Sequence, residues 1–284
     1  CRRLQTMSDT IKNPLDFRRA TDAALTDRFV VIFGEDFVFD TQLRRQLSIN
    51  SFKNLVGRDM YGLFMKHPQL RIVTPEQIVF DPTGECDDRA TVNLFAGLAM
   101  KPAAGSCRRL LELLEFLCSG QSNTAEIFKW IEAWLAYPLK HLGAKMQSSV
   151  LMHGPEGAGK NLFFLAVAQM YGEYATTIGQ LELESAFTDW LSRKLFIIAN
   201  EVVTRSELYH QQGRLKALIT DSHLQINEKF RPRRLEKNHA NFVFFSNRID
   251  IAKLDRDDRR YAVVWTPPAL SQNFYDDVAA ESRA

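Results

Sequence analysis

The sequence predicts an α/β fold whose C-terminal half is built on a central, mainly parallel sheet. Three observations predict it. Four short, wholly apolar runs at residues 150–152, 195–199, 242–245 and 262–265 read as strands buried on both faces. Stretches of helical character lie between them, at 163–171, 184–191 and 208–219. A glycine-rich turn, residues 154–161 (GPEGAGKN), joins the first of these strands to the first of these helices. Alternation of this kind produces a layered domain, because each crossover helix returns the chain to the same end of the sheet.

Length and composition set the frame around that domain. The chain has 284 residues, 45% hydrophobic and 25% charged, the mixture of an ordinary globular protein of two domains or one large domain with additions. Residues 1–104 are expected to form an accessory α+β domain. In it, 29–31 and 37–39 read as short strands, 51–65 as a helix, and 71–81 as a strand closed by Pro82-Thr83-Gly84. The small, Pro- and Gly-bearing stretch 101–106 is the boundary candidate. A helical section follows at 105–146. There Leu110, Leu111, Leu113, Leu114, Phe116 and Leu117 form one apolar stripe, and Ile127, Trp130, Ile131, Trp134 and Leu135 another; both read as core packing. The layered domain then occupies 147–284.

Several classes of protein are excluded. Net charge is +2, with 36 Lys+Arg against 34 Asp+Glu, so no overall basic field announces nucleic acid. The longest apolar run, 162–168, is seven residues, far short of the roughly 20 that span a bilayer. No signal peptide is visible. The four cysteines, Cys1, Cys86, Cys107 and Cys118, lack metal-binding spacing and point to structural thiols in a reducing, cytoplasmic compartment. The chain starts with Cys1 rather than Met, which reads as a piece of something longer.

The turn at 154–161 carries the chemistry. It matches G-x-x-x-x-G-K between a strand and a helix. Gly154, Gly157 and Gly159 let backbone N–H groups turn inward around a phosphate, which side chains would obstruct. Lys160 sets a point charge on the outer phosphates, at the positive end of the helix that follows. Pro155, Glu156, Ala158 and Phe163 complete the expected nucleotide-binding set. Asn161 stands where a hydroxyl ordinarily ligates Mg²⁺; an amide oxygen also accepts a hard cation, with weaker affinity expected. The dinucleotide-binding order G-x-G-x-x-G is absent.

A nucleoside triphosphatase also needs an acidic group at the end of a neighbouring strand. Residues 194–201 (KLFIIANE) supply Glu201 to polarise the attacking water, while Asn200 replaces the usual metal-side carboxylate. A third strand ends in Asn247, positioned to bind that water or the terminal phosphate. In a parallel sheet the three strand ends meet along one edge. Beyond it, residues 255–261 (DRDDRRY) offer Arg259 or Arg260 as an arginine that stabilises charge in phosphoryl transfer from a neighbouring subunit.

These four elements, in this order and at these intervals, resemble the superfamily 3 helicases of viruses, phages and plasmids, a branch of the AAA+ P-loop NTPases. The likeness is above all to the helicase portion of phage and mobile-element primase–helicases. It extends over 215–222 and 226–229, and upstream through 79–82 and 93–98. The resemblance implies ATP and Mg²⁺ as cofactors, a hexameric ring hydrolysing ATP at subunit interfaces, and movement along single-stranded or forked DNA in the channel. It also implies a parent chain bearing a primase domain, a bacterial cytoplasm as the site of action, and a cation at Lys216 serving the nucleotide interface. A hairpin before the Asn247 strand would reach into the channel, here residues 230–237. The residues agree: Lys229, Arg231, Arg233, Arg234 and Lys237 against Glu236 give +4 over nine residues, in a chain whose total is +2. Charge clustered that way tracks phosphates without reading sequence.

The function expected is an ATP-driven DNA helicase or translocase. Lys160, Glu201, Asn247 and Arg259 or Arg260 would be its catalytic groups, with Asn161, Asn200 and Glu201 on the metal side. One alternative is a nucleotide-gated DNA-binding platform that assembles at an origin with little unwinding. Others are a double-stranded-DNA translocase and an AAA+ protein remodeller, the latter disfavoured by the absence of an aromatic-Gly pore loop.

Overall fold

A computed structural model of the chain describes residues 21–86, 91–200, 209–229, 233–247 and 258–283. The chain divides into two compact units, Cys1–Asp81 with Glu85–Ala96, and Pro82–Gly84 with Gly97–Ala284. The division thus precedes the 101–106 stretch, and the two helices of the helical section belong to the same unit as the parallel sheet.

The first unit is α+β. Its elements are α1 (Asp22–Arg28), β1 (Phe29–Ile32), β2 (Phe37–Asp40), β3 (Arg45–Ser48), α2 (Ile49–Val56), α3 (Arg58–Lys66), β4 (Ile72–Val73), β5 (Ile78–Val79) and β6 (Val92–Asn93). The main sheet runs β3-β2-β1-β4, with only the β1–β4 pair parallel. Strand periodicity sends Phe29 and Val31 of β1 to a core with Leu25, Phe52 and Phe64, and Val30 and Ile32 to one with Phe39, Val73 and Val92. The helix expected over 51–65 is two helices, because Gly57 sits at φ +88, outside the helical region. The strand expected over 71–81 is likewise broken. Pro75 opens a single helical turn, Pro75–Gln77, where Thr74 N–H is bound by the Gln77 side chain at 2.8 Å.

The second unit contains α4 (Arg108–Cys118), α5 (Thr124–Lys140), β7 (Ser149–His153), α6 (Lys160–Tyr171), β8 (Ala175–Ile178), α7 (Gln180–Glu184), β9 (Phe196–Ala199), α8 (Tyr209–Thr220), β10 (His223–Ile226), β11 (Arg234–Lys237), β12 (Asn241–Ser246), β13 (Tyr261–Trp265) and α9 (Gln272–Glu281). Five strands form one sheet in the order β13-β7-β12-β9-β8, every neighbouring pair parallel. Both faces of the three central strands, β7, β12 and β9, are covered, as wholly apolar strands require. Ile197, Phe242 and Phe244 pack with Leu215, Leu218 and Ile219 of α8. On the opposite face Phe164 of α6 meets Phe245, and Tyr171 stacks on Phe196 at 5.3 Å between ring centroids. Among the described residues no helix is long and apolar enough to cross a membrane.

Four elements of this unit depart from expectation. The run at 262–265 forms a strand but not one buried on both faces: β13 is at the edge of the sheet, with Val263 45% and Trp265 39% exposed. Edge strand β8 (ATTI) is half exposed, so its polar middle resembles a loop in sequence. The helix expected over 184–191 ends at Glu184, where α7 stops. Beyond it Thr188 N–H donates to Asn227 O at 3.0 Å and Asn227 Nδ2 to Ala186 O at 2.7 Å, so tertiary bonds displace helical ones. The hairpin expected over 230–237 is an antiparallel pair of β10 with β11, from His223 opposite Lys237 to Ile226 opposite Arg234.

Candidate functional site

Because all five strands run the same way, their carboxyl ends line one edge, and three connected features stand there. The glycine turn follows β7. It keeps Gly154, Gly157 and Gly159 at φ +145, +77 and +92, backbone that side chains rarely adopt. The space around two of them is also closed. A Cβ at Gly154 would lie 2.4 Å from Thr266 O, and one at Gly159 would lie 2.9 Å from both Leu113 Cδ1 and Tyr275 Cε1.

Lys160 opens α6 and is 7% exposed. Its ammonium donates to Gly154 O and Pro155 O, each at 2.9 Å, so it lies folded over its own loop. Burial lowers its pKa, and the negative charge of Glu156 opposes that shift. His153, just before the turn, is lowered as well, by burial and then by the Lys160 charge.

Strand β12 lies between β7 and β9, which brings Asn247 and Asn200 to the loop from successive strands. Gly154 N–H bonds Ser246 O at 3.2 Å, and Asn247 Nδ2 donates to Glu156 Oε1 at 2.8 Å. A cleft of about 450 Å³ runs along this edge, walled by Glu156 to Asn161, Asn200, Asn247 and two side chains of α9, Gln272 and Tyr275. Within it, Asn200 Oδ1 is buried with no hydrogen-bond partner among the described residues. That orphaned oxygen and the amide of Asn161 are hard donors able to face a cation, and the glycine cradle leaves room for a phosphate, so the wall fits a magnesium nucleotide. Among the described residues no three His, Cys, Asp or Glu side chains cluster as a metal set.

Other expected residues lie elsewhere. Phe163 is turned into the core, edge-on to Phe164 at 5.0 Å, and does not wall the cleft. Glu201 lies outside the described residues. Arg259 and Arg260 precede β13 at the opposite edge of the sheet, where Arg260 O accepts from Ser149 N–H at 2.7 Å. A five-residue strand, roughly 16 Å of chain, separates them from the end of β13 nearest the cleft. Arg259 is exposed. Arg260 is tethered, its Nη1 3.0 Å from Asp258 Oδ1, and Lys216 Nζ reaches the other carboxylate oxygen at 3.6 Å.

The hairpin also redistributes its charges. Arg234 is held by Glu228 at 2.6 Å and Glu236 at 2.7 Å, so it is internally neutralised. Lys229, Arg233 and Lys237 are exposed, and Arg231 lies outside the described residues. Lys229 Nζ sits 5.2 Å above the ring of Phe187, an exposed aromatic that the sequence reading passed over. Gln272 and Tyr275 were missed too. Their only sequence signal is Ser271 before a short amphipathic stretch, which marks a helix start and nothing more.

A family described as a family of unknown function (DUF5906) matches residues 152–260. No curated protein matches the sequence. Among solved structures, the apo structure of the NrS-1 C-terminal region (305–718) is similar at a TM-score of 0.74 and 20% identity, over 96% of this chain and 68% of that one. Two structures described as the A form of that region give 0.72 at 21% identity and 0.71 at 22%, each over 95% of this chain and 67% of the other. At such identities the likeness is one of fold: this chain is similar in architecture to the NrS-1 C-terminal region.

Proposed function

We propose that the chain is an ATP-dependent DNA helicase or translocase of the AAA+ superfamily 3 type, acting in replication of a phage or mobile genetic element. The observation that carries this reading is the meeting of the glycine loop, Lys160, Asn200 and Asn247 around one cleft at the carboxyl edge of a parallel sheet. Lys160 leaves its two loop carbonyls to bind the outer phosphates of ATP, and backbone N–H groups of the loop hold them. Asn161 and Asn200 face Mg²⁺, which when bound neutralises charge on the phosphate oxygens. Glu201 polarises the attacking water and Asn247 orients it.

Arg260 lies at the far edge of its own sheet, so on this reading it serves the cleft of a neighbouring copy in a ring, most simply a hexamer. Lys229, Arg233 and Lys237 contact single-stranded DNA, and Phe187 beside Lys229 offers a face on which a base stacks. Purified protein is expected to hydrolyse ATP faster with single-stranded DNA, and Lys160→Ala to abolish both turnover and unwinding. Normal turnover in that variant would remove the mechanism.

A second reading is favoured by one feature, the amides at both metal-side positions. On it, hydrolysis is slow and the protein is a nucleotide-gated platform on DNA. Oligomerisation driven by ATP without strand separation would select this reading.

A further inference from the structure

Glu156 is the only acidic residue in the loop GPEGAGKN, and its carboxylate crosses the cleft mouth. Asn247 Nδ2 donates to its Oε1 at 2.8 Å, which ties the loop after β7 to the end of β12. The same carboxylate exerts its charge on Lys160, whose ammonium is meanwhile turned to Gly154 O and Pro155 O. Lys160, assigned above to the outer phosphates, and Asn247, expected beside the terminal phosphate and the attacking water, are therefore both engaged with the protein itself.

Asn247 Nδ2 has two N–H donors, one of them given to Glu156. A phosphate taking the other would lie a few ångströms from the carboxylate, and two anions that close repel even near water. Any ligand whose terminal phosphate extends to Asn247 must expel Glu156. A ligand one phosphate shorter leaves the Glu156–Asn247 bond standing. This inference rests on the nucleotide reading of the cleft. We propose that Glu156 is a terminal-phosphate discriminator: it occupies Asn247 in the empty cleft and is displaced by a triphosphate but not by a diphosphate.

The electrostatic penalty then falls on the triphosphate, and the swap gives the loop two positions that report whether the third phosphate is present. It also follows that the carboxylate, once released, is free at the cleft mouth. Because Glu156 is exposed, salt in the medium weakens the penalty.

The test is equilibrium binding of a non-hydrolysable ATP analogue and of ADP, each with Mg²⁺, to the full chain and to Glu156→Gln. Glutamine keeps the acceptor oxygen and the length while removing the charge. The variant is expected to bind the ATP analogue about fivefold tighter, the size of an exposed charge contact, with ADP affinity unchanged and the gain shrinking as salt rises. An equal gain for both nucleotides, or none for the ATP analogue, overturns the discriminator. Lys160→Ala separates the two levels. If it abolishes binding while Glu156→Gln leaves the ATP-to-ADP ratio as in the parent, the discriminator alone fails. If the parent binds neither nucleotide, the nucleotide reading fails and takes the discriminator with it.

Discussion

Two aspartate–arginine pairs, one in each unit, show how the same chemistry serves different ends. Arg28 and Asp40 are sealed in the first unit, with side chains 3% and 1% exposed. Two parallel bonds join them, Nε to Oδ1 at 2.9 Å and Nη2 to Oδ2 at 2.7 Å, and Asp40 also accepts from the backbone of Gln42 and Leu43. In the second unit Asp258 is equally buried at 2%, yet Arg260 keeps 34% of its side chain in solvent and Lys216 keeps 31%. Burial raises the Asp258 carboxyl, but hydrogen bonds from Arg260 and the charges of Arg260 and Lys216 outweigh it and hold the group below its ordinary value. A sealed pair can only fix its own fold. A buried carboxylate beneath two half-exposed cations holds groups that face outward, where another molecule can meet them.

The largest expected effect breaks the outward-facing pair. If Arg260 completes a neighbour's cleft, Arg260→Ala lowers ATP turnover by about 10³ while nucleotide binding to the isolated chain is retained. Asp258→Asn keeps the shape of the anchor and removes its charge, and is expected to lower turnover about tenfold. Steady-state hydrolysis with saturating single-stranded DNA, set beside nucleotide titration, measures both. Full turnover in Arg260→Ala with loss in Arg259→Ala would assign the role to the neighbouring arginine and leave Asp258 a purely structural anchor.

The sealed pair is expected to answer differently. Asp40→Ala strands a guanidinium in the core, a change that costs about 3–5 kcal/mol. Hydrogen exchange on the amides of β1 and β2 checks it: protection there should collapse. Asp258→Asn, whose cations can turn to water, should leave protection of β13 nearly unchanged. Equal losses at both sites would erase the distinction drawn from exposure.

What could be read in sequence follows the same division between inward and outward. The strands β7, β9 and β12 were legible because burial on both faces forces uninterrupted apolar runs. Strand β13 was legible because its run is apolar although Val263 and Trp265 are exposed at the sheet edge, and the loop because its positive-φ turn between strand and helix admits few residue types. Edge strand β8 was not, since Thr176 and Thr177 need no apolar partner at the rim of a sheet. Counting charges over the hairpin could not reveal that Arg234 is neutralised by Glu228 and Glu236, because ion pairing depends on register, not composition. Tyr275 and Gln272 reach the cleft only through the docking of α9, a tertiary fact with no local signal. The helix expected through Thr188 was lost to Asn227, a partner 39 residues away.

A partly buried lysine sharpens the contrast, because no carboxylate pairs with it among the described residues. Lys145 Nζ donates to Leu218 O at 3.0 Å and to Ala240 O, and lies 5.2 Å above the Phe242 ring. Burial pushes its ammonium down to about 7, against an ordinary value of about 10.4 in the unfolded chain. Between those values the unfolded chain binds more protons than the folded one, so stability rises with pH across that window and is flat in this contribution below it. The slope has a ceiling of about 1.4 kcal/mol per pH unit, and the two carbonyls and the ring face, which favour the charged form, keep it under that ceiling. Urea denaturation from neutral to alkaline pH measures it, with Lys145→Met as the comparison. The methionine variant is expected to lose the rise, although it leaves two carbonyls without their donor and is less stable at high pH. A rise as steep in Lys145→Met as in the parent would assign the proton uptake to other groups and make Lys145 a charged cap on α8 that carbonyl oxygens alone sustain.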